Sequence, residues 1–131
     1  MLTLPIKKKW FDMILSGEKK EEYRKRCPYY GDRFYKYLRT YKNAASGKWK
    51  RLPIAVRFRN GYAASSPSFV ALCTVDIGEG RPEWGAEPGV EYYRLHIDHI
   101  IADLKTAGGE SLALTGEQIG VPGDIVPQAE G

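Results

Sequence analysis

No uninterrupted apolar run in this chain is longer than the five residues Phe69–Cys73. A bilayer-spanning helix needs about 20 apolar residues in succession, so no membrane partner is expected. The same shortness dictates how a core must be built. Each brief element has to bury one face, and the period of its apolar positions shows whether it is helix or strand. At 131 residues the chain has room for one such core and at most a short appendage.

Two segments have helical period. Trp10/Ile14 and Phe11/Leu15 repeat at a spacing of four, which predicts a short amphipathic helix starting near Lys7. Pro5 limits it backward, and Gly17 stands where a left-handed C-cap belongs. Tyr30, Phe34, Tyr37, Leu38 and Tyr41 recur at three and four, predicting a second helix rich in aromatic rings. Residues 43–53 have loop composition. Strands are predicted over Ile54 to Arg59, residues 69–77, and residues 90–97 continuing to Ile100-Ile101. In the first of these, Ile54, Val56 and Phe58 point one way while Arg57 and Arg59 point the other. Asn60-Gly61 signals a turn, and a Gly- and Pro-rich loop from Gly78 to Gly89 joins the last two strands.

Short helices segregated from several strands make the expected fold class α+β, with a curled sheet or small barrel. Residues 1–101 are expected to form the domain. Residues 102–131 hold six of the 14 glycines and almost no aromatic content, so they are expected to be a C-terminal extension, partly extended or disordered.

Charge is distributed unevenly. Residues 1–60 carry 17 Lys and Arg against 5 Asp and Glu, residues 61–101 carry 2 against 6, and residues 102–131 carry 1 against 5. A first half with a balance of +12 suits a polyanion, most economically nucleic acid. Lys7, Lys8, Lys9, Lys48, Lys50, Arg51, Arg57 and Arg59, with Trp49 among them, are candidates to track phosphates and stack a base. The plainer alternative is that the lysines serve solubility. The N-terminal residues lack the apolar region of about 7–15 residues that marks a secretory signal, and a cytoplasmic address is expected. Cys27 and Cys73 have no metal-ligand spacing and are expected to be free thiols.

Residues 19–26, Lys-Lys-Glu-Glu-Tyr-Arg-Lys-Arg, are too polar to fill a core. As a strand they would put Glu22, Arg24 and Arg26 on one face and Glu21, Tyr23 and Lys25 on the other. Other constellations carry less. His96 and His99 fall on opposite faces of an extended segment and make a poor metal pair. Ser65, Ser66 and Ser68 lie in a loop, and Gly78-x-Gly80 lacks the helix and lysine of a phosphate loop.

The segment from Leu4 to Arg24 resembles the opening of an ASCH domain. That family's hallmark, Gly-x-Lys-x-x-Glu-x-Arg, is filled by Gly17, Lys19, Glu22 and Arg24 after an apolar helix. The resemblance extends through Trp84-Gly85 and the final strand. It implies a PUA-like small β-barrel with short flanking helices, a fold whose relatives commonly bind RNA or modified bases. The family includes proposed RNA-binding modules, a ribonuclease activity, and small bacterial amidohydrolases that deacylate 4-acetylcytidine. In those amidohydrolases a Lys, a Thr and a Glu carry the chemistry. Lys19 takes the place of the lysine, whereas Glu22 stands where they have threonine. Their glutamate falls before the final strand, where this chain offers Glu79, Glu83 and Glu87.

Deacylation needs an activated water, a stabilised oxyanion and a proton for the leaving nitrogen. The expected roles are Glu22 as general base, Lys19 steadying the oxyanion or relaying the proton, and Glu83 orienting either. Arg24 would lock Glu22, and Tyr23 and Trp84 would contact the substrate. Tyr29, Tyr30 and Tyr93 are further candidates to stack the base, and Trp10 is assigned to the core. This chemistry calls for no metal and no cofactor. A non-catalytic RNA-binding module, an RNA-cleaving enzyme, or a purely structural ion-pair network at the barrel mouth are the alternatives.

Overall fold

Leu2, Leu4 and Ile6 alternate, and this makes the chain's first element a strand, β1 (Leu2–Ile6), where sequence reasoning had seen only the approach to a helix. The computed structural model describes residues 1–104. After β1 come α1 (Lys8–Leu15), β2 (Glu21–Lys25) and α2 (Pro28–Phe34), which tightens into a 3-10 turn at Tyr35–Leu38. Then follow β3 (Thr40–Lys42), β4 (Trp49–Arg51), β5 (Ile54–Asn60), β6 (Ser68–Glu79), a second 3-10 turn at Pro82–Trp84, and β7 (Glu91–Leu104). The second helix is thus shorter than its aromatic period predicts. Pro28 suits the first helical position, and Thr40–Lys42 leaves the helix to pair with Trp49–Arg51 inside the segment expected to be a loop.

Five strands form one sheet in the order β1-β5-β6-β7-β2, and β3-β4 form a separate two-stranded sheet. Only β1 and β5 are parallel; the other pairs of the main sheet are antiparallel. Register shifts at Val70/Ala71 and Leu72/Cys73 interrupt the long β6-β7 ladder. Such bulges sharpen strand twist, and the sheet curls into half a barrel. The α+β expectation therefore stands in its coarse form: a curled sheet with two short helices. The final strand runs past the expected boundary at residue 101 to Leu104. The expectation of an extended or disordered tail otherwise lies outside the described residues.

The concave face holds the core. Leu4 and Ile6 of β1, Val56 and Phe58 of β5, Phe69, Ala71, Cys73 and Val75 of β6, and Leu95 of β7 are all buried together. Phe11 and Ile14 of α1 and Phe34 of α2 close over them. Phe69 lies at the centre, its ring 5.0 Å from that of Phe11 and 5.4 Å from that of Phe58. Both cysteines are free, and burial pushes the Cys73 thiol well above the ordinary range, so it is inert packing. No helix among the described residues is long and apolar enough to cross a membrane.

Strands β1 and β2 are the two edges of the half-barrel. Pro5 is tolerated because β1 pairs on one side only. Across the gap the Arg24 guanidinium reaches from β2, its Nη2 donating to the Pro5 carbonyl at 2.8 Å. A side chain therefore ties the seam that backbone pairing leaves open. Replacing Phe69 by Ala should cost about 3–5 kcal/mol, a loss of more than about 10 °C in thermal midpoint for a domain of this size. A calorimetric melt unchanged within a degree or two would show that Phe69 does not bridge helix and sheet.

Candidate functional site

The site begins at the end of α1. Gly17 adopts φ 87°, its amide bonding the Ile14 carbonyl, and the Lys19 amide then bonds the Met13 carbonyl at 2.9 Å. This left-handed turn folds the chain back beneath the helix. It drives the Lys19 side chain inward, to 1% exposure. There its Nζ donates to the Trp84 carbonyl at 2.7 Å and lies 3.2 Å from Glu22 Oε1. The Trp10 and Tyr23 rings flank it, with centroids at 4.8 and 5.0 Å.

Alternation along β2 turns Glu22 and Arg24 to the concave side, as the sequence predicts. Glu22 is 5% exposed. Its Oε2 is bonded by Arg24 Nη1, which also donates to the Tyr23 carbonyl. Its Oε1 is enclosed and faces the Lys19 ammonium, 3.2 Å away. The carboxylate is therefore held between two cations, one at each oxygen.

The Gly/Pro-rich loop completes the arrangement. Tyr23 Oη donates to Glu21 Oε1 and accepts from the Arg81 amide, fixing the loop's start. A Cβ on Gly80 would come within 2.6 Å of the Tyr23 ring, so only glycine permits this approach. Gly85, at φ 101°, turns the chain against the Trp10 indole and points the Trp84 carbonyl at Lys19.

In front of Glu22 lies a cleft of about 800 Å³ along the β1-β2 seam. Glu22, Tyr23 and Arg24 form its floor, with Trp10 and Lys7 at one side and Tyr29, Tyr30 and Arg33 of α2 at the other. Asn60, Gly61 and Tyr62 line the remaining rim. Its volume is that of a small-molecule pocket.

Of the residues singled out from sequence, Lys19, Glu22, Arg24 and Tyr23 are brought together, and Tyr29 and Tyr30 face the same cleft. Glu83 is not with them. Its carboxylate is more than half exposed, bonds Arg81 Nη1 at 3.2 Å and does not line the cleft. A backbone hydrogen bond and the Arg81 guanidinium hold it below the usual carboxylate range. Trp84 contributes its backbone carbonyl, while its ring stacks under Arg81 rather than lining the cleft. Tyr93 is buried in the core against Phe34.

Among the basic candidates, Lys7 borders the cleft, Lys8 pairs with Asp12 and Lys9 covers Trp10. Arg57 and Arg59 sit on the convex side of β5, Arg57 donating to Ser68 Oγ at 3.1 Å. Desolvation, and then the Arg59 charge, lower the proton affinity of Arg57. Sequence reasoning missed the cleft role of Trp10, whose helical spacing signalled only burial, and missed Arg33, Asn60 and Tyr62. Tyr29 and Arg33, four apart on α2, were a legible signal for a shared face.

A second polar cluster lies on the convex side. Arg94 grips Asp76 with two hydrogen bonds of 2.8 and 2.9 Å, and His96 sits between Asp76 and Glu21 at 2.9 and 3.3 Å. Burial alone would raise Asp76, but bonds from Arg94 and His96 outweigh it and hold the carboxyl below its usual range. His99 contacts Asp98 instead, so the two histidines serve different partners. Among the described residues no group of three or more His, Cys, Asp or Glu is arranged to hold a metal. No protein-family model matches this chain, and neither a curated protein nor a solved structure matches it.

Burial lowers the proton affinity of Lys19, and the Glu22 carboxylate offsets this only in part. The unfolded chain therefore binds more protons than the folded one between the depressed value and the ordinary 10.5 of lysine. Stability must rise with pH through that interval. A melting profile of the unmutated chain should therefore gain relative to that of Lys19→Met as pH is raised toward 10.5. Parallel profiles would mean that Lys19 is hydrated in solution.

Proposed function

We propose that the chain is an ASCH-type amidohydrolase with a PUA-like sheet, which removes the acyl group from the exocyclic nitrogen of an acylated cytosine nucleoside such as 4-acetylcytidine. The observation that carries this reading is the state of Glu22: a buried carboxylate on a cleft floor, held between the Lys19 ammonium and the Arg24 guanidinium. A general base must be ionised and within reach of its water. Lys19 and Arg24 hold the carboxylate in place from opposite sides.

In this reading the Glu22 carboxylate takes a proton from water as the water oxygen attacks the acyl carbon. Negative charge develops on the acyl oxygen, and the free N–H groups of Arg24, on the same floor, stabilise it. The carbon–nitrogen bond then breaks, the proton on Glu22 passes to the leaving amino nitrogen, and the nucleoside and the carboxylic acid depart. Lys19 lies behind Glu22 and does not border the cleft, so its part is to position and charge Glu22 rather than touch the substrate. The orienting role expected of Glu83 passes to Lys19. Aromatic walls from Trp10, Tyr29 and Tyr30 suit a flat base, and the Asn60 amide at the rim can donate to or accept from a base edge.

The test is incubation of the purified chain with 4-acetylcytidine, with cytidine followed by chromatography. Glu22→Gln keeps the shape and removes the base, and a loss of about 10²–10⁴-fold in kcat is expected. Lys19→Ala should lower kcat with little change in KM, because Lys19 does not contact the substrate. Turnover by Glu22→Gln at the unmutated rate, or no cytidine at enzyme concentrations equal to the substrate's, would overturn the proposal.

A further inference from the structure

The proposed chemistry leaves the most basic part of the chain unused. From Arg33 to Val75 there are nine Lys and Arg and no acidic residue. Five of the nine, Arg39, Lys42, Lys48, Lys50 and Arg51, fall on or beside the β3-β4 hairpin. Its strands pair Thr40 with Arg51, Tyr41 with Lys50 and Lys42 with Trp49. Arg51 anchors the base of the hairpin by donating to the Leu38 carbonyl. At the tip Asn43 Oδ1 accepts from the Ser46 amide at 2.9 Å, and the Asn43 amide bonds the Lys48 carbonyl at 2.8 Å. The ribbon is therefore pre-formed.

What it presents is unpartnered. Trp49 is 66% exposed and Tyr41 42%. Among the described residues no carboxylate pairs with Lys42, Lys48 or Lys50. Cross-strand pairing sets Lys42 directly beside Trp49 on one face, and Lys50 beside Tyr41 on the other. An exposed ring flanked by unneutralised ammonium groups matches an unpaired nucleotide, whose base stacks while its neighbouring phosphates meet the cations.

Two other polyanions fit less well. A membrane surface requires apolar side chains gathered on one face. Here Trp49 and Tyr41 lie on opposite faces, and no Leu, Ile, Val, Phe or Met stands between Arg39 and Arg51. A double helix hides the base faces that the rings would cover.

We propose that the β3-β4 hairpin is a binding site for single-stranded RNA, with Trp49 as the stacking platform and Lys42, Lys48 and Lys50 as phosphate contacts. RNA is the polynucleotide that cells hold unpaired. The site is independent of the deacylation reading, and its test separates the two.

The full chain is titrated into a fluorescein-labelled 12-nucleotide oligouridylate, and anisotropy is followed across a potassium chloride series. Affinity should fall steeply with salt. Trp49→Ala should weaken binding about tenfold and abolish the quenching of tryptophan fluorescence. The combined Lys42→Gln, Lys48→Gln, Lys50→Gln variant should weaken it further and flatten the salt dependence by about 0.7 per contact removed. Lys19→Ala should bind as the unmutated chain does, so lost catalysis and lost binding stay distinguishable. Circular dichroism melts establish that each variant is folded. Unchanged affinity in both hairpin variants, tighter binding to duplex RNA or to a DNA strand of matching sequence, or stronger capture by phosphatidylserine vesicles would each overturn the proposal.

Discussion

A carboxylate buried in the body of a small domain has to be neutralised where it stands, because an isolated charge removed from water is very costly. Glu22 meets this requirement twice, through Lys19 on one oxygen and Arg24 on the other. Each partner makes its own demand. Lys19 reaches its place because Gly17 turns the chain beneath α1, and it needs the Trp84 carbonyl, hence the tight approach of Gly80 and Gly85 to Tyr23 and Trp10. Arg24 reaches the Pro5 carbonyl and so joins the sheet's two edges. One acidic side chain thus links the helix end, the long loop and the seam.

An arrangement of this kind is a poor way to gain stability. Buried ion pairs roughly break even against apolar residues of similar volume, while removal of one partner is strongly destabilising. Phe69 and its neighbours supply a core without them. Here the doubly paired Glu22 stands at the floor of a cleft of about 800 Å³. The convex cluster makes the contrast. Asp76 has both oxygens bonded by Arg94, with His96 added, and does not line that cleft.

Much of this was legible in the sequence because it depends on local period. Alternation assigned Ile54, Val56 and Phe58 to the core and Glu22 and Arg24 to a shared face, and four-residue spacing found α1. What escaped was set by tertiary pairing. Tyr41 continues the aromatic helical period of α2 but belongs to a strand, because Thr40–Lys42 gains cross-strand partners in Trp49–Arg51 that no local signal announces. Leu2, Leu4 and Ile6 alternate plainly, yet Pro5 disguised them until an edge position made it admissible. Glu83 was chosen by its place in the chain; the 3-10 turn that carries it directs the backbone carbonyl of Trp84 inward and leaves the Glu83 side chain to Arg81.

The uneven charge resolves into two populations with different physical meanings. Lys19 and Arg24 share Glu22, Arg94 pairs with Asp76, and all three are only slightly or partly exposed, so they add little to the field outside. The cations of the β3-β4 hairpin have no such partners and stand in solvent, where charge acts at a range of roughly a Debye length, about 8 Å at physiological salt. On the proposed reading, a neutral nucleoside in the cleft would respond to the first population and not to the second. The net charge of +4 understates the second population, since every acid that balances it in the sum lies outside residues 33–75. Its sign and its separation from the acidic residues along the chain are what give the hairpin a surface distinct in kind from the cleft.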